Sequence, residues 1–152
     1  MKKPIKITVT GSTGHIGYSL LFKIANGEMF GADQPIDLMM LGVYPGAGAA
    51  RVGLAMELED CSYDTLNSLS STTDLSEGFG DAEWIIMLGC APRKMGMERS
   101  DLLQSNGRMF ISQGRSINEN AAKNVRILVV GNPCNTNAWI AMDNAPRISP
   151  QQ

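Results

Sequence analysis

Near the start of the chain, Val9-Thr10-Gly11-Ser12-Thr13-Gly14-His15-Ile16-Gly17 sets three glycines between a strand-like run and a helix-like run. Ile5, Ile7 and Val9 alternate with Lys6, Thr8 and Thr10 at the period of a strand, and Ile16, Leu20 and Ile24 recur at helical spacing until Asn26-Gly27 supplies a C-cap. Gly11 permits a tight turn at the join, Gly14 lets backbone approach a phosphate without a Cβ, and Gly17 lets the new helix pack closely on the strand. The helix would then present unpaired N–H groups and a partial positive charge to an anion. A strand–turn–helix joint that holds no ligand fits the same residues. Placement between strand and helix, close to the N-terminus, favours a dinucleotide pyrophosphate.

The rest of the chain repeats the alternation. Ile36–Leu41 is a mostly apolar strand ended by Gly42, and the turn-rich Tyr44-Pro45-Gly46-Ala47-Gly48 leads into a helical row through Val52, Met56 and Glu59. A short polar strand is expected around Leu69–Thr72. Trp84–Leu88 is a continuous apolar run closed by Gly89, the pattern of a central parallel strand. A long helix follows, with Leu103, Gly107, Phe110, Gly114, Ile117 and Ala121 on one face, its two glycines expected to bring it close to the sheet. Val125–Val130 is read as a last buried strand before Gly131-Asn132-Pro133. Strands alternating with helices imply a Rossmann-type α/β fold, a doubly wound, mainly parallel sheet of about five strands. The six-strand order 3-2-1-4-5-6 of such sheets would stop one strand short, making residues 1–152 a single dinucleotide-binding domain. Ligands bind outside the carboxyl ends of strands in these sheets, where the loops at Gly11, Gly42, Gly89 and Gly131 converge.

Composition limits the partners. With 152 residues the chain suits one core rather than two domains. A net charge of −2 and a pI near 5.3 give no general attraction to nucleic acid or to a membrane surface. Cys61, Cys90 and Cys134 are widely spaced and form no C-x-x-C pair, which argues against a disulfide framework or a metal site and fits a reducing, cytoplasmic setting. No apolar run approaches membrane-spanning length.

Ala91-Pro92-Arg93-Lys94-Met95-Gly96-Met97-Glu98-Arg99 sets two arginines six apart on a loop above the sheet, where each guanidinium could grip one carboxylate of a small dicarboxylate; a solvated basic loop fits as well. Taken with Thr10–Leu21, Ala55-Met56-Glu57-Leu58-Glu59-Asp60-Cys61 and Gly131-Asn132-Pro133-Cys134-Asn135-Thr136-Asn137, this stretch closely resembles the malate dehydrogenase family, cytosolic type, over nearly the whole chain. The resemblance implies that Arg93 and Arg99 bind substrate carboxylates and that Asn132 contacts substrate and nicotinamide ribose. It also implies that Asn106 lies near the cofactor and that the helix bearing Met56–Asp60 joins a homodimer interface. Gly11, Gly14, His15, Ile16, Gly17, Gly42 and Gly89 are the remaining cofactor-binding candidates, and NAD is the expected cofactor.

Three departures from the family pattern stand out. The acidic residue that accepts the adenine ribose hydroxyls is replaced by Gly42, which opens the site to NADP; Arg51, some distance along the chain, is the one nearby cation, and weak discrimination is expected. His15, the single histidine, replaces a usual glutamine and is read as a solvated or phosphate-neighbouring residue rather than a catalyst. The family's catalytic histidine–aspartate pair and third substrate arginine belong to a C-terminal domain beyond residue 152, so binding parts are expected here and proton-transfer parts are not. Two rivals remain open. A short-chain dehydrogenase would share the glycine opening but needs Tyr-x-x-x-Lys, whereas Tyr18, Tyr44 and Tyr63 are followed at that distance by Phe22, Gly48 and Asn67. The other rival is a non-catalytic nucleotide-binding or dimerising module.

Overall fold

The computed structural model describes residues 2–42, 48–91, 95–96 and 98–152, with only the backbone of 99–102. The expected turn at 44–47 and the residue Arg93 lie outside that description. Along the described chain, strands and helices alternate: β1 (Ile5–Thr10), α1 (His15–Ala25), β2 (Ile36–Leu41), α2 (Gly48–Asp60), β3 (Leu66–Thr72), α3 (Leu75–Phe79), β4 (Trp84–Met87), α4 (Arg99–Asn120), β5 (Arg126–Val129) and α5 (Cys134–Asp143). The strands form one parallel sheet in the order β3-β2-β1-β4-β5, as the alternation predicted.

β1 lies at the centre, with Val9 opposite Met40 of β2 and Ile86 of β4. The sheet divides the apolar interior in two. Ile7, Val9, Leu38, Met40 and Ile86 pack with Leu21, Ile24, Leu54 and Leu58 from α1 and α2. On the other face Leu41, Ile85 and Met87 pack with Phe79, Phe110, Ile117 and Ala141 from α3, α4 and α5. The alternation in β1 suggested a wet face, yet Thr8 and Thr10 are fully buried. Their hydroxyls make this tolerable, since Thr8 Oγ1 donates to the Gly78 carbonyl at 2.6 Å and Thr10 Oγ1 accepts from Gly89 N at 3.2 Å.

Several local expectations are corrected. The buried row of α1 is Gly17, Leu21, Ile24 and Ala25, and Ile16 faces solvent, because Gly17 is the residue that meets the preceding turn. In α4, Phe110, Ile117 and the following Ala121 are buried but Leu103 is exposed. The α4 glycines serve α5 rather than the sheet: a Cβ at Gly114 would stand 2.6 Å from the Ala141 carbonyl oxygen, and one at Gly107 would stand 3.7 Å from Ile140 Cδ1. β5 is an edge strand with Arg126 and Leu128 exposed, not a buried one. Its outer side is partly satisfied by the chain itself, since Ile127 N donates to the Gln152 carbonyl at 2.8 Å. The helices α3 and α5 have no counterpart among the expected elements.

Candidate functional site

The site forms at the carboxyl ends of β1, β2, β4 and β5. Gly11 adopts φ +70, which strongly favours glycine, and its missing side chain allows direct backbone contact with the loop after β4: a Cβ there would lie 2.7 Å from both Cα and N of Gly89. Gly89 in turn abuts the loop after β5, where a Cβ on Gly131 would lie 3.3 Å from the Gly89 carbonyl oxygen. Three loops therefore meet backbone to backbone. Polar side chains secure the same junction: Asn137 of α5, buried, donates Nδ2 to the Gly131 carbonyl at 2.9 Å, and Asn106 of α4 accepts from Ala91 N at 2.7 Å through Oδ1.

α1 opens directly from this junction. Its turn closes through Gly14 N to the Gly11 carbonyl at 3.1 Å, and Gly14 occupies the N-cap with no side chain capping the first-turn donors. Gly14, His15 and Ile16 are exposed, and among the described residues the only atom near a Cβ on Gly14 would be the Gly11 oxygen at 3.4 Å. First-turn N–H groups with no side-chain cap, beside an exposed residue that has no Cβ, are what an incoming phosphate requires. Gly17 has a different role. A Cβ there would lie 2.5 Å from the Gly11 oxygen and 2.7 Å from the Ser12 oxygen, so it fixes how tightly the helix seats on the turn.

The predicted residues are thus partly assembled. Gly11, Gly14, His15, Ile16, Gly17 and Gly89 share the junction with Asn106, whose Nδ2 is buried without a hydrogen-bond partner among the described residues. Asn132 sits exposed in the loop after β5, before the cis Asn132–Pro133 peptide. Arg99 is the first residue of α4, which places its backbone by the loop after β4, and Arg93 falls outside the described residues. Arg51, the one nearby cation expected from sequence, lies directly against Gly42: its guanidinium sits in the space that a side chain at position 42 would fill. Thr10 and Asn137 were not foreseen; both were hidden because their partners are backbone atoms of distant loops, which no local spacing reports.

Away from the junction, the Tyr18 hydroxyl donates to Glu57 Oε2 at 2.5 Å, linking α1 to α2. That acceptor, aided by nearby negative charge, pushes the tyrosine above its ordinary range. No cluster of three or more histidine, cysteine or acidic residues among the described residues could hold a metal ion, and the three cysteines are free. No described helix is long and apolar enough to cross a membrane.

Comparison with known proteins agrees with this geometry. Residues 5–152 match the family model described as lactate/malate dehydrogenase, NAD binding domain. The malate dehydrogenase of Naegleria fowleri is 43% identical with a TM-score of 0.96, over 99% of this chain and 46% of that one. An apo lactate dehydrogenase of Trichomonas vaginalis is 38% identical with a TM-score of 0.93, over 98% and 44%. The Trichomonas vaginalis lactate dehydrogenase in complex with NADH and oxamate is also 38% identical, with a TM-score of 0.89, over 96% and 44%. The chain spans less than half the length of each of these structures.

Proposed function

Because the chain belongs to the family of lactate/malate dehydrogenase NAD-binding domains, we propose that it is the cofactor-binding portion of a malate dehydrogenase, acting in the cytoplasm on a small dicarboxylate. The observation that carries this reading is the uncapped N-terminus of α1 behind the Gly11–Gly17 turn, at the carboxyl end of the central strand. It would hold the pyrophosphate, and the free Nδ2 of Asn106 offers one further donor at the meeting of the loops. When bound, the nicotinamide would supply the hydride chemistry, taking hydride from C2 of malate or giving it to C2 of oxaloacetate. The chain's own contribution is placement. Arg93 and Arg99 would grip the two carboxylates, and Asn132 would orient the reacting carbon near the ribose.

Proton transfer requires a donor within roughly 2.6–3.2 Å of the ketone oxygen and typically contributes about 10²–10⁴ in rate. His15, the single histidine, stands at the start of α1 among the phosphate-facing glycines and is not placed for that task. We therefore assign the proton relay to a further domain, and expect the 152-residue chain to bind cofactor without turnover. The homodimer reading rests on α2, where Val52 and Met56 are 53% and 59% exposed.

Titration with NADH or NADPH by fluorescence, followed by assay of oxaloacetate-dependent oxidation, tests the proposal. Saturable binding with no oxidation above background is expected. Binding of neither dinucleotide would overturn the cofactor reading, and turnover within about tenfold of an intact malate dehydrogenase that survives His15→Gln would overturn the assignment of the relay elsewhere.

A further inference from the structure

Gly42 follows β2 directly, is buried, and donates its N–H to the Thr72 carbonyl at 2.8 Å. Its backbone does not demand glycine, since the positive-φ glycines are Gly11, Gly27, Gly31 and Gly96. The space beside it is taken by Arg51 instead: a Cβ at position 42 would lie 1.9 Å from Arg51 Nη1, 2.6 Å from Cζ and 3.1 Å from Nε, so the guanidinium, the far end of a flexible side chain, occupies volume that a larger residue would claim only by displacing it.

Arg51 is only 9% exposed, and its Nε and Nη1 are buried with no hydrogen-bond partner among the described residues. The salt bridges of the described residues are made by Lys2, Lys3 and Lys23. A buried cation with unused donors is costly unless an anion completes it. In dinucleotide-binding sheets the adenine-side ribose sits at the end of the second strand, where an acidic residue accepts its 2′-hydroxyl and an arginine instead accommodates a 2′-phosphate. At that place this chain has deleted the side chain and inserted a guanidinium.

We propose that Gly42 and Arg51 together form a receptor for the 2′-phosphate of an adenine dinucleotide, so that NADP(H) is bound in preference to NAD(H). This rests on the dinucleotide reading above and sharpens it, replacing the weak discrimination expected from sequence with a definite preference. The glycine is there to admit the arginine, and the arginine to meet the phosphate. A phosphate–guanidinium contact, charge-assisted on both sides, is strong enough to separate the two cofactors by tenfold or more.

The test titrates the 152-residue chain with NADPH and NADH, and competes each with adenosine 2′,5′-bisphosphate, adenosine 5′-monophosphate and inorganic phosphate. NADPH should bind at least about tenfold more tightly than NADH, and the bisphosphate should compete better than the monophosphate by a similar factor. Arg51→Met should lower the NADPH affinity to that of NADH. Because a buried arginine can matter for folding, circular dichroism accompanies that variant and Gly42→Asp provides a second. The aspartate displaces the flexible guanidinium and supplies a carboxylate, and it should reverse the preference. Equal affinities in the unaltered chain, tighter NADH, or an NADPH preference that survives both substitutions would overturn the proposal while leaving dinucleotide binding intact. Inorganic phosphate as tight as the bisphosphate would reassign the site to a free anion and overturn it too. Binding of neither dinucleotide would overturn the cofactor reading, and this proposal with it.

Discussion

The glycines of the first turn divide stability from recognition. At Gly17, an alanine Cβ would meet backbone oxygens of Gly11 and Ser12 at 2.5 and 2.7 Å, and backbone cannot swing aside as a side chain does. Gly17→Ala should therefore cost about 1–3 kcal/mol and weaken cofactor binding as α1 is pushed off the turn. Gly14→Ala should behave differently. Its φ is −75 and its nearest neighbour stands at 3.4 Å, so stability should stay within about 0.5 kcal/mol of the parent chain while the added methyl obstructs the approaching phosphate. Urea unfolding and NADH titration of the two variants check this, and a Gly14→Ala chain that binds as well as the parent would remove Gly14 from the phosphate site. Apart from the contact of Gly11 with Gly89, the roles of these three glycines were legible in sequence because they are local to one turn. The placement of Arg51 was not, since nine positions and a helix start separate it from Gly42 and only the packed chain brings them together.

At the level of elements, the two glycines of α4 make opposed predictions. Gly107 has room, with Ile140 Cδ1 at 3.7 Å, so Gly107→Ala should stabilise by roughly 0.5–1 kcal/mol through helix propensity alone. Gly114 has none against the Ala141 carbonyl of α5, and Gly114→Ala should destabilise by about 1–3 kcal/mol as the helices separate. Urea midpoints of opposite sign are the expected readout; a fall for both would mean that α5 lies closer along its whole length. The strand order and most strands were legible because each apolar run ends in glycine or a polar turn. Helix α3 was not, since five residues are too few for a helical period to register. It is held instead by the Asp74 carboxylate, which accepts from Glu77 N at 2.8 Å, and by Gly78 resting on Leu41. β5 misled for another reason. An apolar run reads alike in a central strand and at an edge, and only the pairing tells which one is half exposed.

At the scale of the whole molecule, the exposed large apolar side chains among the described residues, Met95 and Leu103 aside, fall in two regions. One is on α1 and α2, with Ile16, Tyr18, Val52 and Met56; the other involves β5 and α5, with Leu128, Met142 and Trp139, the last 67% exposed. We expect self-association through the first, so Met56→Glu should weaken a dimer seen in analytical ultracentrifugation by about tenfold or more, while Trp139→Glu should leave it in place. A monomer at every concentration, or dissociation by the Trp139 variant alone, would count against that surface. The contact of Gly11, Gly89 and Gly131 bears on how the whole chain can change over generations. Because the loops after β1, β4 and β5 meet here, a side chain at Gly11, where φ is +70 and a Cβ would lie 2.7 Å from Gly89 backbone, must displace the neighbouring loop, whereas one at Gly131, 3.3 Å from the Leu88 and Gly89 oxygens and from Cys90 Cβ, needs that loop to yield only slightly. A library that randomises Gly11 alone should return glycine, while variants at Gly131 should be tolerated best when paired with a change in the loop after β4, their effects not adding. The junction behaves as one heritable character spread over three distant stretches of sequence.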